Sequence, residues 1–582
     1  MARRIWMAAA CAAAVLTGPS PAAAQAKVSR PGHYHGYAQA AYDGHQRTSS
    51  YVPMRDGTRL AVDLFRPTRG GQVAGERLPV VWMHTPYNRR TYAGGATVER
   101  YPGYALQLVK YGYNVAVVDF RGLYASFGRN TGYNRGEWAD AARFDAYDVT
   151  EWFAKQPWSN GNIGMWGCSA TGGSQMQAAT TRPPSLKAIF PMSAEFDAYA
   201  FAVLGGVSRG AVAAPNRGTA ADPNAARDAQ AAAVDGDQAA ALLAQAIAQH
   251  KDNIESPGVV PFRDSKSPTM DYVWWEKSSP STWLADLRAS GIGVYAVANW
   301  DEAGTRHGAP LTFRNLGEGQ AKLLIGPATH CAWSAVREET GFELVTEELR
   351  FFDHWLKGVQ NGVMDEPAVT YFTYNAPKES AWRTSNAWPL PNEVRTDFFL
   401  GAGTLANTAA AAGQDGAALA TPAAAQTTTI ATPDSGLAYE TAPLAADLEV
   451  TGHPEMRLWI SSPTAQDADV LARIEDVAPD GSARSYQMLG RLRASHRTLG
   501  AAPHDTMGLP WPSHVSTDAK PLPADEPVEL AFELLPMSYI FKAGHKLRLT
   551  LSFTSPDGTA GAPVQVLRGG ERPSRLVLPL VR

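Results

Sequence analysis

Ser169 lies in the run Gly164-Met165-Trp166-Gly167-Cys168-Ser169-Ala170-Thr171-Gly172, between an apolar stretch and a string of small residues. A serine so placed can sit on a sharp strand-to-helix turn that holds its hydroxyl clear of a sheet, as a nucleophile elbow does. Small residues on either side let strand and helix approach closely around a strained serine. The second glycine is Gly172, one place later than in Gly-x-Ser-x-Gly. On this pattern alone an ordinary glycine–serine turn fits equally well.

A serine hydroxyl attacks a carbonyl at neutral pH only when a base takes its proton, and the base must be held in one tautomer by an acceptor. In a fold of alternating strands and helices these partners follow in the order Ser, Asp, His at the ends of later strands. Asn299-Trp300-Asp301 ends one apolar run, and Gly326-Pro327-Ala328-Thr329-His330 follows the next. Asp301 is therefore expected to orient the base and His330 to be the base. Glu302 also offers a carboxylate, but position favours Asp301. The backbone N–H of Ala170, directly after the serine, is expected to donate to the oxyanion.

The other histidines fit structural or surface roles better. His354 sits in a helical stretch, His84 precedes the serine, and His453, His496 and His545 fall in a strand-rich region. His33, His35 and His45 lack a matching carboxylate or thiol spacing, so no metal and no cofactor are expected.

The elements that must position these groups alternate. Tyr51 to Pro67 brackets Asp56-Gly57, a tight hairpin signal. Leu78 to Met83, Tyr113 to Val118, Asn162 to Trp166, Gly293 to Ala298 and Ala321 to Ile325 read as strands covered on both faces. Tyr101 to Tyr111, Ala139 to Lys155, Gly172 to Thr180 and Glu347 to Lys357 read as the helices between and after them. This predicts a parallel, doubly wound α/β sheet. Tyr199 to Thr282 changes to Ala-rich helical text and reads as an inserted cap, in which Trp274 and Trp275 either line an apolar pocket or pack the helices. Beyond Val369 the strands Glu455 to Ser461, Ala468 to Val477 and Lys546 to Phe553 alternate as in an antiparallel sandwich. Asn407 to Ser435 reads as a surface loop. The expected division is a signal peptide over 1–26, a first α/β part over 27–198, the cap over 199–282, a second α/β part over 283–368 and a β-sandwich over 369–582.

A chain of 582 residues exceeds one core and calls for two or three domains. Met1-Ala2-Arg3-Arg4, the apolar Ile5 to Leu16 and the small residues Ala22 and Ala24 form a secretory signal, too short for a membrane anchor. A periplasmic or secreted protein, free of the membrane after cleavage, is expected. The formal net charge of −4 becomes more negative once Arg3 and Arg4 leave, which excludes a basic nucleic-acid face. Of three cysteines, Cys11 leaves with the signal. Cys168 and Cys331 flank the candidate serine and histidine; a disulfide can form in an exported protein, but unpaired thiols are the favoured reading, because this placement does not ensure the roughly 4.4–6.8 Å Cα separation a bridge needs. Pro31 to Ser50 forms a polar arm that could reach a neighbouring subunit, so an oligomer is possible.

Taken together, Met54-Arg55-Asp56-Gly57-Thr58-Arg59-Leu60, Thr85-Pro86-Tyr87-Asn88, Asp119-Phe120-Arg121-Gly122, Ala125-Ser126-Phe127-Gly128, the serine elbow, Gly326-Pro327 and Arg350-Phe351-Phe352-Asp353-His354-Trp355-Leu356-Lys357-Gly358 resemble the X-prolyl dipeptidyl-peptidase (CocE/NonD) family of serine hydrolases. That family includes cocaine esterase, α-amino-acid ester hydrolases and glutaryl-cephalosporin acylases. The resemblance spans nearly the whole chain and accounts for the elbow's glycine spacing. It implies an α/β-hydrolase fold with an inserted helical cap and a C-terminal jelly-roll (galactose-binding-like) domain, the latter marked by Asp469 to Gly481, Leu492-Arg493-Ala494-Ser495 and Phe541-Lys542-Ala543-Gly544-His545. It also implies Tyr87 as a second oxyanion donor. Most relatives have Tyr where this chain has Ala170. Relatives specific for α-amino acyl groups carry carboxylates two and three residues after the triad acid, where counting from Asp301 gives Ala303 and Gly304. A neutral small-molecule or peptide-like acyl substrate, ester or amide, is therefore expected. A dipeptidyl-peptidase is the second reading, and a silent binding protein using the jelly-roll is the third.

Overall fold

Asp56 and Gly57 turn the chain where their composition demands it. Gly57 takes φ +83°, Asp56 accepts from the Thr58 N–H at 2.9 Å, and Met54 N–H meets the Thr58 carbonyl at 2.7 Å. The turn joins β1 (Gly44–Pro53) to β2 (Arg59–Arg69) in antiparallel register, Pro53 opposite Arg59. The computed structural model describes residues 27–582 apart from 94–95, 100–105, 208–222, 303, 318, 410, 421–435 and 487. The leader expected over 1–26 lies outside the described residues.

After β3 (Gln72–Val73) come β4 (Leu78–Thr85), β5 (Asn114–Asp119), β6 (Ser159–Cys168), β7 (Leu186–Met192), β8 (Gly293–Asp301), β9 (Ala321–Thr329), β10 (Val369–Phe372) and β11 (Trp382–Ser385). They form an 11-stranded sheet in the order β11-β10-β9-β8-β7-β6-β4-β5-β2-β1, with β3 beside β2. The strands from β5 to β10 in that order are mutually parallel. Every residue of β5 is buried, as a strand covered on both faces should be. The sheet was expected to end before residue 369. It instead takes on β10 and β11, because Val369–Phe372 hydrogen-bonds in parallel to β9 and carries the edge strand with it.

The chain runs from β4 to β5 on one side and returns to β6 on the other, so the connections diverge between β4 and β6. In open α/β sheets ligands bind at the carboxyl ends of the strands at such a switch point. Flanking helices include α1 (Asp145–Ala154), α2 (Ala170–Thr180), α3 (Thr305–Asn315) and α4 (Leu344–Lys357). Of the crossover expected over Tyr101 to Tyr111, the described residues hold a short helix at Leu106–Val109. The expected cap is built of short helices, among them Ala198–Ala202, Pro223–Asp228, Ala241–Gln249 and Trp274–Lys277. Trp274 and Trp275 are 2% and 1% exposed, and Trp275 Nε1–H donates to the Val260 carbonyl at 2.9 Å. They pack against Ala198, Tyr199 and Ala202 and hold the helices together.

The remaining chain forms a nine-stranded and a five-stranded sheet, antiparallel throughout their ladders. Glu455–Ser461, Asp469–Val477 and Lys546–Thr554 fall where alternation placed them. Within the stretch expected as loop, Gly413–Ala418 pairs with Pro563–Arg568, since backbone pairing tolerates its small residues. The two domains share one core: Ala296, Ala298 and Trp300 of β8 pack in the same cluster as Leu458 and Ile460 of the sandwich. The Trp300 and Trp388 rings lie 6.0 Å apart. The N-terminal arm packs on its own chain. Gly32 N–H donates to Glu347 at 2.6 Å and the Tyr34 hydroxyl to Asp353 at 2.9 Å, both acceptors on α4. Among the described residues no helix is long and apolar enough to cross a membrane.

Candidate active site

Ser169 stands at the junction of β6 and α2 with φ +65° and ψ −129°, a backbone region costly for a residue with a side chain. It occupies the cap position of α2, yet its hydroxyl does not cap the helix. Its N–H donates to the Met192 carbonyl at the end of β7 (2.9 Å), and the Gly172 and Gly173 N–H groups return to its carbonyl. The unusual glycine spacing has a steric cause. A Cβ on Gly172 would stand 2.5 Å from the Met192 carbonyl, so α2 meets β7 at the third residue after the serine. Thr171 fills the second position and donates its hydroxyl to the Cys168 carbonyl at 2.7 Å. Ala170 opens α2, and its N–H belongs to the first turn, where no intrahelical acceptor exists.

The acid paired with the histidine differs from expectation. His330 Nδ1 lies 2.7 Å from Oε2 of Glu302, not on Asp301. Glu302 is buried, and its other oxygen accepts the Asn299 N–H at 2.8 Å. The cause is a register shift between β8 and β9: Asn299 pairs with Gly326, whereas Asp301 pairs with Thr329. Asp301 thus still belongs to the strand, half-buried, while Glu302 folds back beneath the histidine. The charge of Asp301 acts on Arg306, a fully buried residue whose pKa burial pushes down to about 10 against that pull. Arg306 donates to the Trp300 carbonyl and to the Tyr486 carbonyl of the sandwich, clamping the turn that presents Glu302. Thr305 Oγ1 lies 3.4 Å from His330 Nδ1.

β6 and β9 are separated by β7 and β8, three strand spacings or about 14 Å. The segment after β9 nonetheless leans back across the sheet, and Cys331 is disulfide-bonded to Cys168 with the Cα atoms 6.0 Å apart. This contact brings the neighbours of Ser169 and His330 together. The bond runs against the sequence expectation of unpaired thiols, because the lean of this segment brings the two Cα atoms within bridging distance.

Tyr87 follows β4, the strand beside β6, and is half-buried. Its N–H donates to Thr85 Oγ1 at 2.9 Å, and Asn88 takes φ +79°. Arg89 anchors this turn. It is 0% exposed and binds Asp63 at 3.0 Å and Asp119 at 2.9 Å, while its N–H donates to Asp119 at 2.6 Å. Burial raises Asp119 to about 6 against the pull of Arg89. Burial also pushes on Asp63, but Arg89 and Arg90 together hold it below the usual range. Sequence reading passed over this group, although Arg89 directly after a tyrosine-bearing turn and Asp119 at the end of a buried strand are its signals.

The remaining histidines lie elsewhere. His84 is buried between Trp82 and Phe120, and burial lowers its pKa to about 3. His496 meets His514 at 3.0 Å, and His545 meets Asp476 at 2.8 Å. His307 of α3, His453 and Glu533 bring ligand atoms within 4.8 Å of one another at the domain boundary. Trp388 Nε1–H, a donor only, points at His453 Nε2 at 3.2 Å. The His453 proton therefore sits on Nδ1, the atom facing Glu533 at 3.5 Å. His307 Nε2 lies 2.7 Å from Glu533. His307 and Glu533 thus pair across the domain boundary, with the second Glu533 oxygen facing His453 Nδ1 at 3.5 Å and the other His453 nitrogen taken by Trp388.

Residues 56–332 match the model of the X-Pro dipeptidyl-peptidase S15 family, and residues 361–571 match that of the X-Pro dipeptidyl-peptidase C-terminal non-catalytic domain. A Mycobacterium bovis protein named as a serine esterase is 29% identical, with 93% of this chain and 96% of the relative covered. Cocaine esterase of a Rhodococcus species is 27% identical over 93% of this chain and its own full length. A CocE/NonD family hydrolase from Staphylococcus aureus shares the fold with a TM-score of 0.68 at 21% identity, covering 92% of this chain and 97% of its own.

Proposed function

The chain carries the catalytic and C-terminal domains of the S15 family and belongs among its serine hydrolases, and from that premise we propose that it cleaves an ester or amide through an acyl-enzyme on Ser169. His330 takes the serine proton through Nε2 as the hydroxyl attacks the acyl carbon. Glu302 accepts from Nδ1–H and so fixes the tautomer that leaves Nε2 free to act as base. The oxyanion receives hydrogen bonds from the Ala170 N–H and the Tyr87 hydroxyl. His330 then returns the proton to the leaving group, and water repeats the sequence to release the acid. The observation that carries this reading is the 2.7 Å contact between His330 Nδ1 and buried Glu302, in a segment disulfide-bonded to the residue before Ser169, which has strained elbow geometry.

With Glu302 as the orienting acid, the positions two and three residues on are Gly304 and Thr305, which are uncharged. Thr305 lies against His330 itself. This favours a neutral acyl group over one with a free α-amine, which would need a counter-charge. Export, carried by the leader sequence, is part of the proposal. A fluorophosphonate probe tests the chemistry: wild-type protein labels and Ser169→Ala does not. Absence of wild-type labelling under conditions that label a known serine hydrolase would refute it. Comparing short-chain esters with Xaa-Pro amides separates esterase from dipeptidyl-peptidase, and the neutral positions predict that esters are preferred.

A further inference from the structure

Cys168 immediately precedes Ser169, and Cys331 immediately follows His330. We propose that their disulfide is a positioning device for catalysis, so that turnover depends on its oxidation state; this rests on the serine-hydrolase reading above. Three observations carry it. The strands that deliver serine and histidine are not neighbours, since two others stand between them. The histidine segment must therefore cross the ends of those strands, and the bond is a covalent tie at the far end of that reach, with Cα atoms 6.0 Å apart. His330 is also poorly enclosed: its side chain is 44% exposed, whereas Glu302 is 0% exposed. Burial does little to hold the ring. Finally, Cys331 adopts φ +61°, the left-handed region that a residue with a side chain occupies only when its surroundings over-determine it. The segment's local backbone bonds, Ala332 N–H to Thr329 and Trp333 N–H to Cys331, close small turns.

Glu302 sets which nitrogen of His330 carries the proton, while the bond sets where the residue bearing that nitrogen stands relative to Ser169. Cutting the tie releases position while leaving the tautomer in place. Misplacement of a catalytic group by about 1 Å costs on the order of 10²-fold in rate. The reduced enzyme is expected to bind substrate normally and turn it over slowly. In the redox step one thiolate of a dithiol attacks a sulfur of the pair, the Cys168–Cys331 bond breaks, and the second thiol closes the reagent into its own disulfide. Two electrons and two protons pass to the protein, which gains two thiols. Exchange with a small-molecule disulfide reverses the step. A chain held in a reducing compartment would thus be nearly silent, and export to an oxidising one would switch it on.

The test uses the purified full-length mature protein. Intact mass with and without reduction first establishes the bond, and a bond absent from oxidised protein overturns the proposal. Ester hydrolysis and fluorophosphonate labelling are then measured on oxidised, dithiothreitol-reduced and reoxidised samples, and on Cys168→Ser/Cys331→Ser, with circular dichroism and thermal melts alongside. The expected result is a roughly 10- to 100-fold fall in kcat and in labelling rate, with KM within about 3-fold. The fold is retained at the assay temperature, and reoxidation restores activity in wild type but not in the double variant. Equal rates in both redox states overturn the proposal, and so does activity lost only in step with folded structure. If no redox state labels at all, the hydrolase reading falls and takes this one with it, an outcome distinct from the other two.

Discussion

Replacing Glu302 by Gln tests which carboxylate orients the base, and its effect follows from the two contacts the carboxylate makes. One oxygen accepts the Asn299 N–H at 2.8 Å and the other accepts from His330 Nδ1 at 2.7 Å. A glutamine amide has one oxygen and one NH₂ group for the same two partners. If the oxygen stays on the Asn299 N–H, the NH₂ faces Nδ1 and requires a lone pair there. The ring proton then moves to Nε2, and the base can no longer take the serine proton. If the amide flips, its NH₂ group opposes the buried Asn299 N–H, donor against donor. Both arrangements lose catalysis, and wrong-tautomer substitutions of this kind cost about 10⁴-fold in kcat. That corresponds to roughly 5.5 kcal/mol of transition-state stabilisation. Asp301→Asn should cost less than about tenfold, because the 2.7 Å contact to His330 Nδ1 belongs to Glu302 while the charge of Asp301 acts on the Arg306 clamp. Initial rates on a chromogenic short-chain ester, resolved into kcat and KM for both variants, provide the comparison. The reasoning is refuted if Asp301→Asn is as damaging as Glu302→Gln, or if Glu302→Gln keeps wild-type kcat.

Tyr87→Phe keeps the ring and removes the proposed oxyanion donor; kcat should fall about 10²-fold with KM little changed, measured on the same ester. Gly172→Ala drives a methyl to 2.5 Å from the Met192 carbonyl and should destabilise by about 1–3 kcal/mol in urea titrations while disturbing the elbow, whereas Gly173→Ala, 3.1 Å from a Glu195 carboxylate oxygen, should be milder. Arg89→Met strips the cation from between buried Asp63 and Asp119 and should cost about 3–5 kcal/mol of stability, with activity reduced through the Tyr87 turn. Glu348 of α4 is fully buried with neither oxygen hydrogen-bonded, and burial raises its pKa from 4.5 to about 8. The folded state therefore holds this proton more tightly than the unfolded chain, so stability is fully present below pH 4.5 and declines as pH rises through 8. Glu348→Gln should abolish that decline, gaining roughly 3 kcal/mol at pH 7 and little at pH 4, and equal unfolding curves for variant and wild type at both pH values would refute it.

The carboxylate that meets His330 stands one residue beyond the one expected, and this shows where sequence reading stops and why. Strand patterning located β8 and β9 because apolar runs buried on both faces leave a composition signal. It also set Ser169 and His330 directly after strand ends, where the structure has them, since each stands alone at the end of its run. Asp301 and Glu302 stand side by side, and which of them faces the histidine depends on where the ladder slips. The shift between Asn299 and Asp301 is a backbone pairing event with no side-chain signature, so counting from the strand end could not detect it. The bulky cue lay one residue earlier. Trp300 is drawn into the core shared with the sandwich, and the turn beyond it is clamped by Arg306 reaching Tyr486 of the other domain. The C-terminal domain therefore helps decide which carboxylate reaches His330, although none of the groups proposed for catalysis lies in it. The same reasoning covers the cysteines. Their positions beside serine and histidine were plain in the sequence, but pairing required the segment after β9 to cross two strand ends, a path set by tertiary structure. Residue types thus pointed to the proposed chemistry, while a ladder slip and a crossing loop, both long-range features, determined which atoms meet.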